Sequence, residues 1–205
     1  MTDTVLEAQG LAIDDATADR LFRTARTVTT FAESEVTDEQ LAAVYDLVKW
    51  GPTAMNTSPL RMLVVRTPEA RERLVARVPE GNQERVRNAP VTLVLAYDTD
   101  FHEHLDVLMP HNPGARDMFA GDAGARAEMA RTSALIQAGY LIVGLRAAGL
   151  AVGPMHGTYD QIDAEFFADN GWKGFLVVNV SAADGADTTR PRAPRLSFDD
   201  AAQVI

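Results

Sequence analysis

The segment TDEQLAAVYDLVKWGPTAMNTSPLRMLVVR, residues 37–66, contains a helix, a polar loop and a strand in direct succession. Thr37 and the amide three residues later form a capping box, and apolar residues then recur at helical spacing. A Gly-Pro pair ends the helix and opens a loop of small polar residues at 51–59. Residues 61–66 predict a strand, so this segment predicts a fold in which helices and strands alternate.

The same alternation continues on both sides of that segment. The further predicted elements are a short helix at 19–26, a helix at 68–78, a strand buried on both faces at 91–97, a long helix at 126–148 that stops at Gly149, a helix at 160–167, a strand at 173–180 and a short helix at the C-terminal end. Polar turns are predicted at 81–83 and 153–157, and an irregular, lid-like excursion at 101–125. We therefore expect an α/β or α+β sandwich, with residues 1–18 as an N-terminal extension and 19–205 as one domain.

Composition excludes several classes of function. The chain has 205 residues, no cysteine and a formal net charge of −10, which argues against thiol chemistry, nucleic-acid binding and attachment to an anionic membrane. The N-terminus is acidic and lacks the features of a signal peptide, and no apolar run is long enough to cross a bilayer. The composition favours a cytoplasmic protein.

Familiar catalytic patterns are missing from the sequence. It contains no P-loop, no dinucleotide-binding glycine motif after a strand and no G-x-S-x-G elbow. His102, His104 and His111 match no common zinc spacing, so no metal site is predicted. The pair Asp199-Asp200 is typical of a solvated helix end rather than of a glycosidase.

Three polar groups of residues remain as candidates for ligand binding. The loop at 51–59 offers hydroxyls, an amide and exposed backbone, and Asn82 and Gln83 offer amides that both donate and accept. Arg26-Thr27 and Arg195 could hold a phosphate through charge-assisted hydrogen bonds. Each group alone is also typical of an ordinary turn or surface.

Six features follow one another along the chain. They are, in order, Ala-Arg-Thr followed by Phe31, Lys-Trp-Gly-Pro-Thr-x-x-Asn-x-Ser-Pro at 49–59, Gly-Asn-Gln at 81–83, the long helix, Gly-Leu-x-x-Gly-Pro-Met-x-Gly at 149–157, and Pro-Arg-Leu-Ser-Phe-Asp-Asp at 194–200. Taken together, these motifs resemble the nitroreductase superfamily. The resemblance runs from about Arg20 to the C-terminus. Within the superfamily, the chain is most similar to the malonic semialdehyde reductase branch of pyrimidine degradation.

The resemblance implies an α+β, three-layer sandwich with a central, mostly antiparallel sheet flanked by helices. It also implies an intertwined homodimer that binds FMN at the subunit interface, uses NADPH or NADH as electron donor and acts on a small molecule. By position, the implied cofactor-binding residues are Arg26, Thr27, Pro52, Thr53, Ala54, Asn56, Asn82, Gln83, Pro154, Met155, His156, Gly157 and Arg195.

Two positions depart from the family pattern. Thr29 stands where many relatives carry a second basic residue, which predicts either weaker FMN binding or a substitute cation at Arg192 or Arg23. His156 replaces a common acidic residue and is the one candidate proton donor beside the implied site, although a packed loop histidine is an equal interpretation. No catalytic residue is assigned.

Several functions are compatible with these residues. The first is reduction of malonic semialdehyde to 3-hydroxypropanoate, and the second is a broad nitro- or quinone-reductase activity. A flavin-binding protein without turnover and a structural domain without flavin are further alternatives.

An acidic aldehyde needs a cationic partner in the site. Arg61, Arg116 and Arg126 are candidates for this partner. For Arg61, our hypothesis is that its side chain faces solvent and binds no ligand.

Overall fold

The computed structural model describes residues 11–31, 35–182 and 191–205. Within them, four antiparallel strands form one sheet in the order β1-β2-β4-β3. The strands are β1 (Leu60–Val65), β2 (Val91–Tyr97), β3 (Leu150–Met155) and β4 (Lys173–Ala182). This arrangement confirms the expected α+β class and the strands predicted near residues 61, 91 and 173.

Strand β2 lies inside the sheet and is buried along almost its whole length. Because side chains alternate across a strand, Leu93 and Leu95 pack into one core and Val94 and Ala96 into the other. The hydroxyl of Thr92 donates a 2.7 Å hydrogen bond to the buried amide of Asn179 on β4. The sheet therefore separates two apolar layers, as a three-layer sandwich requires.

The helices lie on both sides of the sheet. The α-helices are α1 (Asp15–Ala18), α2 (Asp38–Val48), α3 (Pro68–Val75), α4 (Glu80–Asn88), α5 (Leu105–Leu108), α6 (Ala115–Ala120), α7 (Ala123–Ala147), α8 (Tyr159–Phe166) and α9 (Phe198–Ala201). Helices α2 and α7 cover the Leu93 face, and α3, α4 and α8 cover the Val94 face. No helix of the described ranges is long and apolar enough to span a membrane.

Helix α2 begins at the predicted capping box, with both reciprocal hydrogen bonds between Thr37 and Gln40 present. Helix α7 begins at an Asp122 cap and ends before Gly149, whose φ of 79° is the left-handed conformation that favours glycine. The start of α2 and the end of α7 were predicted from local sequence signals, and the structure confirms each to within three residues.

Two predicted turns are wrong. Residues 81–83 form the first turn of α4, which Val86 anchors as a fully buried side chain. Residues 153–155 belong to β3, which pairs with β4 as an edge strand of the sheet, a position where proline is tolerated. Asn82 and Met155 are consequently held by regular elements rather than by loops.

The two ends of the chain also differ from expectation. The first helix begins at Asp15, within the predicted extension, and continues as a π-helix over Asp19–Arg23. Residues 1–10 of that extension, and 183–190 before the C-terminal segment, lie outside the described residues. The predicted C-terminal helix is present as α9.

The excursion at 101–125 is more regular than predicted. It contains a 3-10 turn at Phe101–His104 and the short helices α5 and α6. Its apolar side chains form a small core of their own around Phe101, Leu105 and Phe119. Arg126 fastens the excursion to α7 by donating to the carbonyls of Phe119 and Ala120 at 2.9 and 3.0 Å.

Candidate functional site

The segment that carries Arg26 and Thr27 is attached to the edge of the sheet. The Val28 amide donates a 3.1 Å hydrogen bond to the Val152 carbonyl, and Thr27 and Val152 form a parallel bridge. A Cβ atom at Gly153 would lie 2.6 Å from the Val28 carbonyl oxygen. Glycine at this position therefore lets the two backbones approach closely enough to fix Arg26 and Thr27 beside β3.

A cavity of about 500 Å³ opens beside this segment. We call it the arginine cavity, because five arginines contribute to its wall. Its lining residues are Ala25, Arg26, Thr27, Thr29, Arg85, Arg146, Arg192, Ala193 and Arg195. None of these side chains is a carboxylate, so the cavity combines concentrated positive charge with two hydroxyl groups in a chain whose net charge is −10.

Backbone carbonyls hold three of these arginines. Arg192 donates to the carbonyls of Ala25 and Phe22 at 2.9 and 3.0 Å, and Arg146 donates to that of Leu21 at 3.0 Å. Arg195 donates to carbonyls of its own segment. Burial, together with the charge of Arg192, lowers the pKa of Arg146. The cavity thus contains guanidinium groups that repel one another.

A second group of predicted residues meets where β3 ends. The Asn82 side chain donates a 3.0 Å hydrogen bond to the His156 carbonyl, which joins α4 to this end of the strand. The His156 ring packs edge-on against Tyr159 with ring centroids 4.9 Å apart, and burial raises the pKa of the Tyr159 phenol. Met155 is buried and accepts a weak hydrogen bond from Asn179.

The space around Gly157 is also restricted. A Cβ atom there would lie 2.7 Å from the Ile162 side chain, so a larger residue would push this segment away from α8. Pro154, which precedes this segment in β3, and Gln83, which follows Asn82 in α4, are both half-buried. The structure thus brings Asn82 and His156, two of the predicted site residues, together at the end of β3.

The loop at 51–59 has an unusual backbone. Met55, Asn56 and Ser58 have φ values of 52°, 53° and 41°, a left-handed conformation that is uncommon outside glycine. Backbone strain of this kind persists where the surroundings enforce it and is concentrated at functional sites.

Contacts from several elements enforce this conformation. Asn56 donates to the Leu108 carbonyl at 2.8 Å, the Ala54 amide donates to Ser133 at 3.3 Å, and the Ser58 amide donates to Thr53 at 3.1 Å. Thr57 is fully buried, and its hydroxyl has no hydrogen-bond partner among the described residues. These contacts hold the loop at 51–59 in a defined conformation.

This loop does not line the arginine cavity. It enters the sheet at β1, whereas Thr27 attaches at β3, and these two strands form opposite edges. Three inter-strand spacings separate the edges, a distance of about 14 Å. The predicted site residues are thus divided, with Pro52, Thr53, Ala54 and Asn56 on one side and Arg26, Thr27 and Arg195 on the other.

The arginines that were candidates for an acidic substrate are engaged elsewhere. Arg61 turns inward and pairs with the buried Asp98 at 2.7 Å, so the expectation that it faces solvent is wrong. Arg116 pairs with Glu103, and Arg126 binds carbonyls of the excursion. The arginine cavity therefore contains the better candidates for binding an anion.

Two cavity residues were not anticipated from the sequence. Arg85 lies on α4 and Arg146 near the end of α7, and arginines in such positions are usually solvated. Arg192 was weighed only as a substitute cation, and the structure places it in the cavity beside Thr29. The other proposed substitute, Arg23, instead pairs with Asp15 and Asp19 at the surface.

Comparison with known proteins gives consistent matches. The sequence profile of the Nitroreductase family matches residues 22–176. A Streptomyces coelicolor protein named as an NADH dehydrogenase/NAD(P)H nitroreductase is 48% identical over 95% of this chain and 99% of its own length. A Streptomyces griseus protein of the same name is 49% identical with the same coverage.

Solved structures share the fold at lower sequence identity. A nitroreductase-type protein from Exiguobacterium sibiricum, crystallised in complex with FMN, superposes with a TM-score of 0.79 at 18% identity, covering 91% of this chain and 96% of that one. A nitroreductase family protein from Streptococcus pneumoniae gives a TM-score of 0.74 at 18% identity, with coverages of 90% and 98%.

Proposed function

Because the chain belongs to the nitroreductase family, we propose that it is a cytoplasmic, FMN-dependent NAD(P)H oxidoreductase that acts as a homodimer. The observation that carries this proposal is the arginine cavity, where Arg26, Thr27 and Arg195 converge. These three residues come from the two ends of the chain, and each was expected to hold the cofactor phosphate.

The cavity fits the phosphate end of FMN. A phosphomonoester carries close to two negative charges and three acceptor oxygens at neutral pH. Guanidinium groups and hydroxyls are matched donors for such a group, and the absence of carboxylates from the lining avoids repulsion. A volume of about 500 Å³ is within the usual range for small-molecule and cofactor sites.

The remaining site residues would bind and orient the flavin ring. When bound, FMN supplies a ring that can take a hydride from a reduced nicotinamide and deliver it to an acceptor. The Asn82–His156 link would fix the backbone of residues 154–157 as one wall of the ring site. The strained loop at 51–59 would supply the other wall, with a backbone already held in place.

A second copy of the chain would bring these two walls together. The loop and the arginine cavity lie at opposite edges of the sheet, so one flavin would contact both if the loop came from the partner. Helix α7 exposes Leu135, Ile136 and Tyr140, and Trp50 beside the loop is 82% exposed. An apolar surface of this kind marks an interaction site.

We further propose malonic semialdehyde as the acceptor, on the basis of the motifs at 49–59 and 194–200. Arg61, Arg116 and Arg126 are engaged in other contacts and the cavity arginines would hold the FMN phosphate, so none of these arginines is assigned to its carboxylate. The names of the Streptomyces relatives favour a second candidate, a general NAD(P)H nitroreductase.

The first test is the visible spectrum of the purified protein after loading with FMN and desalting, followed by anaerobic addition of NADPH and, separately, NADH. We expect a retained flavin spectrum that bleaches with one donor or both. A retained spectrum that bleaches with neither would favour a flavin-binding role without turnover, and no retained flavin would overturn the proposal.

The acceptor is tested by turnover of the loaded protein with malonic semialdehyde and with a nitroaromatic compound. A kcat/KM at least tenfold higher for the acidic aldehyde supports the first candidate. The reverse order supports the nitroreductase. Uncharged propanal serves as the control, because it differs from the acidic aldehyde mainly in lacking the carboxylate.

A further inference from the structure

One face of helix α7 follows the loop at 51–59 along its length. Ser133, Gln137 and Tyr140 stand at intervals of four and three residues, so their side chains lie on the same side of the helix. The first two accept hydrogen bonds from backbone amides of the loop and of the residue after it. The Tyr140 ring packs on Gly51, where a Cβ atom would lie 2.9 Å from the ring. This helix face therefore touches the loop at its start, its middle and its end.

Gln137 is a polar residue in an apolar part of the helix. Its side chain is 7% exposed, whereas its buried neighbours on α7 are mainly alanine and leucine. Burial of an amide is unfavourable unless the amide is hydrogen-bonded. The Leu60 amide donates a 2.9 Å hydrogen bond to Oε1 of Gln137, and this bond is itself buried. Gln137 thus fixes the point where the loop enters β1.

Ser133 holds the other side of the strained part of the loop. It is 1% exposed, and its hydroxyl oxygen accepts a 3.3 Å hydrogen bond from the Ala54 amide. The three residues with positive φ lie between Ala54 and Leu60, the two residues whose amides α7 binds. A strained backbone persists only where its surroundings enforce it. Ser133 and Gln137 together therefore bracket the strained segment.

We propose that Ser133 and Gln137 are positioning residues that hold the loop at 51–59 in the conformation needed for hydride transfer through the bound flavin. The inference rests on the proposed function, in which this loop is one wall of the ring site. Both residues act through the loop, and neither is assigned a contact with the flavin. A displacement of about 1 Å in a group that orients the reactants can slow a reaction about 100-fold.

The test is stopped-flow measurement of flavin bleaching in the FMN-loaded protein under saturating NADPH or NADH, whichever bleaches the wild type. Gln137→Met keeps the size of the side chain and removes the acceptor, so the Leu60 amide is left buried without its partner. We expect the bleaching rate constant to fall about tenfold or more. Gln137→Glu should retain most of the rate, because burial favours the neutral acid, whose carbonyl oxygen can accept the same hydrogen bond.

Thr67→Ala is the matched control. The Thr67 hydroxyl accepts a 3.2 Å hydrogen bond from the Ala70 amide at the start of α3. The substitution removes the same kind of bond, from a backbone amide to a side-chain oxygen, without touching the loop. It should lower the Tm and leave the bleaching rate constant unchanged. An equal fall in Thr67→Ala and Gln137→Met, or no fall in Gln137→Met, would overturn the inference while leaving the proposed function intact.

Amide hydrogen exchange of the flavin-free protein separates the two proposals. Gln137→Met should accelerate exchange over residues 52–60 about tenfold or more, and Thr67→Ala should not. If the wild type retains no flavin, the proposed function fails, and this difference alone still supports the hold of α7 on the loop. Faster exchange with an unchanged bleaching rate would show a purely structural contact and overturn the positioning role. Unchanged exchange in Gln137→Met would overturn the hold itself.

Discussion

Gly153 shows how one residue positions a segment of the proposed site. Its missing side chain allows the Val28 carbonyl to approach β3, and the contact fixes Arg26 and Thr27 at the mouth of the arginine cavity. The obstructing atom belongs to the backbone, so it cannot rotate away as a side chain could. The position of Arg26 in the site therefore depends on the size of a residue far from it in sequence.

Gly153→Ala should destabilise the protein by about 1–3 kcal/mol, the usual penalty for overpacking. It should also weaken FMN binding, because the segment that carries Arg26 is displaced. Urea unfolding of the flavin-free protein and FMN titration measure the two effects. The control is Gly81→Ala, where a Cβ meets nothing within 4 Å and helix propensity favours alanine by up to about 1 kcal/mol. Similar unfolding curves for the two variants would contradict this account.

At the residue scale, sequence motifs named several residues that the fold brings together in the proposed site. Arg26, Thr27 and Arg195 lie in one cavity, and Asn82 contacts the segment after β3. Arg85 and Arg146 gave no local signal, because each is one arginine on a helix. Their role depends on convergence in three dimensions, which spacing along the chain does not encode.

Elements with strong local signals were predictable, and those fixed by distant contacts were not. The capping box of α2 and the glycine after α7 determine their boundaries locally. The start of α4 contains glycine and amides, which are typical of a turn, and its helical state depends on burial of Val86. Pro154 is likewise a turn signal that the edge position of β3 overrides.

The excursion at 101–125 is an element whose attachment can be tested. Arg126 is largely buried and binds the carbonyls of Thr99, Phe119 and Ala120, so it connects both ends of the excursion to α7. Arg126→Met should release this attachment. We expect amide hydrogen exchange to accelerate about tenfold or more over residues 99–120, with little change in the strands.

Arg116→Met is the matched control within the same excursion. Arg116 makes exposed ion pairs with Glu103 and Asp106, and exposed pairs contribute little to stability. Mass spectrometry of exchanged peptides measures both variants. Equal acceleration in both, or acceleration spread over the whole sheet in Arg126→Met, would argue against a specific role for Arg126.

At the scale of the whole molecule, the main feature is the division of the proposed site between the two edges of the sheet. The described residues place the loop at 51–59 by β1 and the arginine cavity by β3. The sheet keeps the two apart within one chain. Dimerisation would therefore be part of cofactor binding rather than a separate property.

Ile136→Glu tests this dependence, because Ile136 is 44% exposed on the apolar face of α7. Burying a carboxylate in an interface is unfavourable, so we expect the dimer dissociation constant to rise at least about tenfold and FMN binding to weaken with it. Light scattering after size exclusion measures the mass. Ala76→Glu, an exposed position at the end of α3 on the opposite layer, adds the same charge and should leave the dimer intact.

The divided site also has a genetic consequence. A copy with a damaged loop at 51–59 still carries an intact arginine cavity, and a copy without Arg26 and Arg195 still carries an intact loop. Each would be inactive alone, since every site that it forms in the proposed dimer would have one defective half. In a mixed dimer, the intact halves would meet at one of the two sites, so co-expression of two null alleles would restore part of the activity by intragenic complementation.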